Sequence, residues 1–395
     1  MSSLAPKVMP LAGRIAFPVA VVLVGLNLRP LLAAIGPLAD PIQRATGLTD
    51  TGLATLTTLP VALMGACLLA SRHIRSRLRE KTGIGLGLAL ILLTCLWRWT
   101  DTGGAGLILS AVLGGIGIAL VQALMPVVIR GRAGPASAGL MGLYSTAIMG
   151  GAMIASMAAP WLEQMAGWAT GLGIWALPAM LGLLIWGRTP DMPDTGASQP
   201  PPVAHSARAW LLLIFFGLGT GAYTLVLAWL PPFYTRLGWS APAAGALLGL
   251  LTLAEVVAGL AVSVWVGRAP DRRPALLAAI GALLGGLLML CLAPLALALP
   301  AAVLSGLGIG ALFPLGLIIA MDHGEGAGEA GAIAGFVQGG GYGLAALLPL
   351  AAGLLRQHLA DLTPAWWLMA ALCLLMMLIA VRFHPTDRIR LSRTP

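Results

Sequence analysis

Apolar residues fall along this chain in twelve blocks. The first six lie at about 15–39, 51–71, 83–99, 105–129, 136–160 and 168–187, the second six at about 209–234, 242–266, 274–292, 297–320, 329–353 and 363–382. Roughly 20 helical residues cover the ~30 Å hydrocarbon core of a bilayer, so each block has the reach of a transmembrane helix. Between the sixth and seventh runs RTPDMPDTGASQPPPVAHSA (Arg188 to Ala207), rich in proline and without apolar periodicity, which reads as a linker outside the membrane. The pattern predicts an all-α polytopic membrane protein. It has a six-helix bundle over 1–187, a cytoplasmic linker over 188–208 and a second six-helix bundle over 209–395.

The two sets of six echo one another. LSAVLGGIGIAL (Leu109–Leu120) in the fourth block matches LSGLGIGAL (Leu304–Leu312) in the tenth, each followed by a proline, Pro126 and Pro314. GLYSTAIMGG from Gly142 pairs in the same way with GFVQGGGYG from Gly335. A repeat at an interval of six helices keeps both copies in one membrane orientation, the parallel arrangement of transporters whose halves are related by an axis along the membrane normal. With the N-terminus cytoplasmic, 18 of the 23 lysines and arginines fall on the cytoplasmic side, and only Arg44, Arg98, Arg236 and Arg356 in outside loops. Positive charge next to spans stays inside, so both termini are expected to be cytoplasmic. The acidic loop MDHGEGAGE (Met321–Glu329) is the exception.

Composition adds little to this but removes alternatives. The chain is 58% hydrophobic and only 9% charged, far below the quarter or so usual in soluble domains. Its net charge of +9 follows from the loop bias and calls for no nucleic acid. Cys67, Cys95, Cys291 and Cys373 are widely spaced within or beside apolar blocks and form no metal or disulfide pattern. The first block is longer than a signal-peptide core and leads straight into further spans, so cleavage is not expected. No metal-ligand cluster or nucleophile–base pair suggests an enzyme, a metal or a cofactor.

The chemistry lies in the few polar residues inside the blocks. Arg29 sits mid-block in GLNLRPLLAAIGPL (Gly25–Leu38), where an arginine is costly unless it faces a polar interior. Its planar guanidinium suits a small anionic or nitro-bearing solute; a structural arginine held between helices is the other reading. Asn27, two residues away, is a candidate contact to the same solute or to a neighbouring helix. Glu255 is the one carboxylate clearly inside a block, LTLAEVVAG. It carries a coupling proton, pairs with Arg29 until substrate arrives, or merely stabilises its bundle. Gln122, Tyr144, Tyr223, Gln338 and Tyr342 are further candidate substrate contacts, with Trp229 behind them. Aligning the prolines of the first and seventh blocks gives Tyr223 roughly the place in the second set that Arg29 has in the first, from which a hydroxyl could reach a central cavity. All of these have the alternative of holding helices together, at about 0.6 kcal/mol per bond. In GRAPDRRP (Gly267–Pro274), Arg268 and Asp271 are candidates for an ion-paired inner gate, and His323 beside Asp322 for an ion pair at the same face.

GLNLRPLLAAIGPL, GGIGIALVQALMPVVIR (Gly114–Arg130), GLYSTAIMGG and ALP (Ala176–Pro178) together resemble the cyanate-permease-like (CynX/NimT) branch of the major facilitator superfamily. The resemblance implies the major facilitator fold, twelve transmembrane helices in two parallel six-helix repeats, in a bacterial inner membrane. It also implies alternating access, with a substrate of cyanate type taken up or nitroimidazole-like drugs exported; the cost of moving an anion against an inside-negative potential adds the expectation of a co-transported proton. It carries the Asn-x-Arg-Pro element onto Asn27, Arg29 and Pro30. The expected partners are the solute, membrane lipid and a proton, and the two-bundle fold needs no second copy to function. The chain departs from the wider superfamily in two places. The loop after the second block lacks the usual acidic residue, and the fifth lacks a Gly-Pro antiporter motif, Pro160 lying near its outer end instead.

Overall fold

A computed structural model describes residues 11–70, 74, 77–100, 102–133, 137–190, 203, 206–265, 271–325, 327–386 and 388–389. Those residues hold twelve helical stretches long and apolar enough to cross a membrane. They are span 1 (Phe17–Thr46), span 2 (Asp50–Leu69), span 3 (Glu80–Trp99), span 4 (Gly104–Ala133), span 5 (Gly139–Ala166) and span 6 (Trp168–Gly187). Then come span 7 (Ala207–Arg236), span 8 (Ala241–Trp265), span 9 (Arg273–Leu292), span 10 (Ala298–Asp322), span 11 (Glu329–Leu359) and span 12 (Thr363–Ala380). The face carrying the start of span 1 is the near face, the opposite one the far face. Most of the expected linker lies outside the described residues.

Span 1 is not one helix. It runs to Leu26, breaks over Asn27–Arg29, restarts as a single turn at Pro30–Ala33, tightens into a 3₁₀ turn at Gly36–Leu38 and continues as Ala39–Thr46. Pro30 has no N–H to give the preceding turn, and a proline disfavours helical geometry at the residue before it. Arg29 nonetheless keeps right-handed helical geometry, φ −110° and ψ −21°, at the start of the restarted turn. Prolines inside spans 2, 4, 5, 7 and 10 leave those helices continuous. Shorter interruptions occur at residues 174–175 of span 6 and at Ala346 of span 11, just before Pro178 and Pro349, but among the described residues only span 1 is interrupted over three residues beside a charged side chain. Span 1 also runs further than its apolar block, to Thr46, where Gly47 ends it in the left-handed conformation with φ +68°.

Spans 1–6 pack on one another chiefly through 2 on 4, 3 on 4, 1 on 5 and 3 on 6. Spans 7–12 pack through 8 on 10, 9 on 10, 7 on 11 and 9 on 12. The two groups meet along two seams, span 2 against span 11 and span 5 against span 8. The repeated glycines explain how spans 4 and 10 each hold two neighbours. Gly115 faces the Pro60 backbone of span 2 and Gly117 the Gly87 carbonyl of span 3. In register with them, Gly306 faces the Leu251 backbone of span 8 and Gly308 the Ala279 carbonyl of span 9. With little hydrophobic drive between helices in lipid, such small residues let backbones approach and gain dispersion contact.

Candidate functional site

The break in span 1 brings the Arg29 side chain into the interior, 3% exposed. Its guanidinium carbon lies 5.2 Å from the centre of the Tyr223 ring of span 7. Tyr342 of span 11 is within hydrogen-bonding reach of both Arg29 and Gln338, and Tyr144 of span 5 and Glu255 of span 8 are close enough to feel the Arg29 charge. Residues from spans 1, 5, 7, 8 and 11 thus converge on one guanidinium, drawn from both groups of helices.

Several polar atoms here are buried without a hydrogen-bond partner: Arg29 Nε, the Tyr144 and Tyr223 hydroxyls and both carboxylate oxygens of Glu255; Gln122 Oε1 of span 4 is likewise buried and unpartnered. Buried polar groups are normally satisfied, so such a group of exceptions needs an explanation. A bound solute is one. Thr58 of span 2 and Thr220 of span 7, one helical turn before Tyr223, also hold unpartnered buried hydroxyls. Nothing in the apolar pattern singles them out, because threonine is common in membrane helices. Ser305 and Trp366 are likewise unpartnered, and Ser305 faces span 9 at Gly286, so the property alone does not define a binding residue.

Glu255 is positioned by the glycine stripe of span 10. Gly310 lies directly on the backbone of Glu255, where any Cβ would collide with its carbonyl and Cα. Span 8 is pressed onto span 10 at this residue, and the Glu255 side chain is 3% exposed.

Asn27 is used differently from Arg29. Its side-chain amide donates to Leu23 O at 2.7 Å and to Pro178 O of span 6 at 3.0 Å. It fastens the broken end of span 1 to span 6. Trp229 donates to Pro349 O at 2.9 Å and so ties span 7 to span 11.

Two arginines assigned to outside loops by their position near block ends are part of the helical body. Arg98 is 1% exposed and donates to Leu31 O and Ser110 Oγ, both at 2.9 Å. Arg356 closes the far face: it lies 3.4 Å from Asp50 and 3.9 Å from Asp40, with its guanidinium 5.2 Å from the Trp229 ring. Gln43 donates to Asp50 at 2.9 Å, and Thr51 to Gln357 at 2.5 Å. Asp40 and Asp50 belong to spans 1 and 2, Arg356 and Trp229 to spans 11 and 7, so this clamp joins the two groups of helices. Gly36 in the 3₁₀ turn, packed against Leu227 O and Ala228 O of span 7, adds to the closure.

At the near face, Asp271 pairs with Arg273 at 2.8 Å and accepts from its backbone N–H at 3.0 Å. These hydrogen bonds hold the Asp271 carboxyl below its usual range. The expected gate partner, Arg268, lies outside the described residues. The Asp271 pair caps the start of span 9 within one group and does not bridge the two. Asp322 pairs with Arg272 at 3.2 Å, while His323 Nδ1 faces Ile319 O at 2.8 Å.

The sequence model described as Major Facilitator Superfamily matches residues 21–346, and the chain belongs to that superfamily. It is a multi-pass membrane transporter and not an enzyme. It is 37% identical over 374 residues to the Escherichia coli (strain K12) cyanate transport protein CynX, covering 92% of this chain and 96% of that one. It is 28% identical over 348 residues to the 2-nitroimidazole transporter of the same organism, covering 85% and 87%. Among solved structures it is similar in fold to a D-xylose-proton symporter, with a TM-score of 0.75 at 16% identity, over 94% of this chain and 98% of that one.

Proposed function

We propose that this chain imports a small monovalent anion of cyanate type across a bacterial inner membrane, together with a proton, by alternating access between two six-helix bundles. The observation that carries the reading is a buried guanidinium with an unpartnered Nε, set among unpartnered hydroxyls and within electrostatic reach of a carboxylate with no hydrogen bond of its own. Arg29 binds the anion. Tyr144, Tyr223, Tyr342, Gln122 and Gln338 line the space around it, and Thr58 and Thr220 join this set. Glu255 takes the proton. The 37% identity to a cyanate transport protein favours this substrate class.

Anion entry against an inside-negative potential costs about 2.3 kcal/mol per 100 mV, and an accompanying proton removes that cost. The basic near face is the cytoplasmic one in this scheme, and the Arg356 clamp is the outer gate, closed in this conformation. In the outward-facing state Arg356 leaves Asp40 and Asp50, and the seams between spans 2 and 11 and spans 5 and 8 open on the far side.

The test is uptake of radiolabelled cyanate into proteoliposomes with an imposed pH gradient, acid outside. Accumulation that rises with the gradient supports the scheme; protein-dependent uptake indifferent to the gradient removes the proton. The second reading is export of nitroimidazole-like heterocycles, favoured by the 28% relative and by three aromatic rings around the guanidinium. Thermal stabilisation by heterocycles and not by cyanate would establish that reading instead.

A further inference from the structure

We propose that Arg98 is a positioning residue for the anion site: it holds the Leu31 carbonyl and so fixes the angle at which the broken segment of span 1 presents Arg29. The proposal rests on the reading of Arg29 as the anion-binding group. In a regular helix the Leu31 carbonyl would accept from the Ile35 N–H, but that N–H turns to Leu32 O at 3.2 Å. The break thus diverts the regular partner of a carbonyl two residues after Arg29, deep in the protein. Arg98 reaches over from span 3 and supplies a donor, Nη1 to Leu31 O at 2.9 Å.

The guanidinium is itself fixed on its other side. Its Nε donates to Ser110 Oγ of span 4 at 2.9 Å, and Ser110 in turn donates to Leu107 O at 2.6 Å. Gly114, one turn further along span 4, leaves room for Leu31: a Cβ there would stand 2.9 Å from Leu31 Cδ1 and 3.0 Å from Thr94 Cγ2. Spans 1, 3 and 4 therefore meet around one planar fork. A lysine has a point charge on a flexible stem and cannot serve the carbonyl and the hydroxyl with the same geometry. Both acceptors are neutral, and among the described residues no carboxylate pairs with Arg98.

The experiment measures initial rates of radiolabelled cyanate uptake against concentration in proteoliposomes holding the full chain, as wild type, Arg29→Ala, Arg98→Gln, Arg98→Lys and Ser110→Ala. Arg98→Gln is expected to raise the half-saturating concentration about tenfold with the maximal rate within about twofold, the loss from one misdirected charge-assisted hydrogen bond. Arg98→Lys recovers part of that loss. Ser110→Ala, which frees the guanidinium while keeping its charge, raises the half-saturating concentration about threefold, a smaller loss of the same kind. A fall in maximal rate and melting temperature with unchanged half-saturation would make Arg98 purely structural and overturn the proposal. If Arg98→Gln does not insert or fold, Ser110→Ala decides, and wild-type half-saturation there overturns it. Arg29→Ala separates the two ideas. Wild-type uptake by that variant defeats the anion site itself. Impaired uptake beside normal half-saturation in both Arg98→Gln and Ser110→Ala defeats only the positioning role.

Discussion

Spans 4 and 10 occupy the same place in the two groups of helices, and their glycines touch corresponding neighbours, Gly115 on Pro60 and Gly306 on Leu251, Gly117 on Gly87 and Gly308 on Ala279. One turn further on, the groups part. Span 10 has Gly310 pressed on the backbone of Glu255, whereas span 4 has Ala119; four residues past Pro60, span 2 has Met64 where span 8 has Glu255. The scaffold is repeated, but the carboxylate and the tighter approach that holds it occur only in the second group. The cation occurs only in the first, on a helix that breaks, while its mate span 7 runs unbroken through Pro231 and Pro232. The two halves share packing and divide the charges between them.

This division makes ranked predictions. Arg29→Ala should lower cyanate uptake about 100-fold or more, as expected for losing charged hydrogen bonds worth about 3 kcal/mol, measured as initial rate over KM. An uptake rate near wild type would mean that the first group carries no binding charge. Next, Glu255→Gln should abolish accumulation driven by a pH gradient while leaving cyanate exchange at equal concentrations running; loss of both would make Glu255 a structural or binding group. Gly310→Ala should then destabilise by about 1–3 kcal/mol through overpacking against Glu255, read as a lower melting temperature in detergent. The mirror change, Ala119→Gly, should cost only about 1 kcal/mol, the helix penalty of glycine. Equal losses at the two positions would show that the tighter approach at Glu255 has no energetic counterpart.

The helical layout was open to reading because a bilayer imposes a length on apolar blocks, and because the glycines of spans 4 and 10 recur with the same spacing. The break at Arg29 was not legible, since prolines inside spans 2, 4, 5, 7 and 10 leave those helices continuous. What the pattern also concealed were arginines whose partners are distant in sequence. Arg98 and Arg356 resemble loop residues because they stand near the ends of apolar blocks, and only the folded chain brings Leu31 O to one and Asp40 and Asp50 to the other. For Asn27 the sequence left two partners open, the solute and a neighbouring helix, and the fold shows the second contact. It adjoins Arg29 in sequence, but its amide is taken by Leu23 and Pro178. Thr58 and Thr220 differ from other helix threonines only in lacking a partner, which no linear pattern records.

The Arg356 clamp has an optical consequence. Its guanidinium rests over the indole of Trp229, and a cation above that ring perturbs the emission of a fluorophore the protein already possesses. Parting of the far face would lift the charge and admit water to a side chain that is now 1% exposed. With the other tryptophans replaced by phenylalanine, emission colour would follow the turnover of an unlabelled transporter in real time.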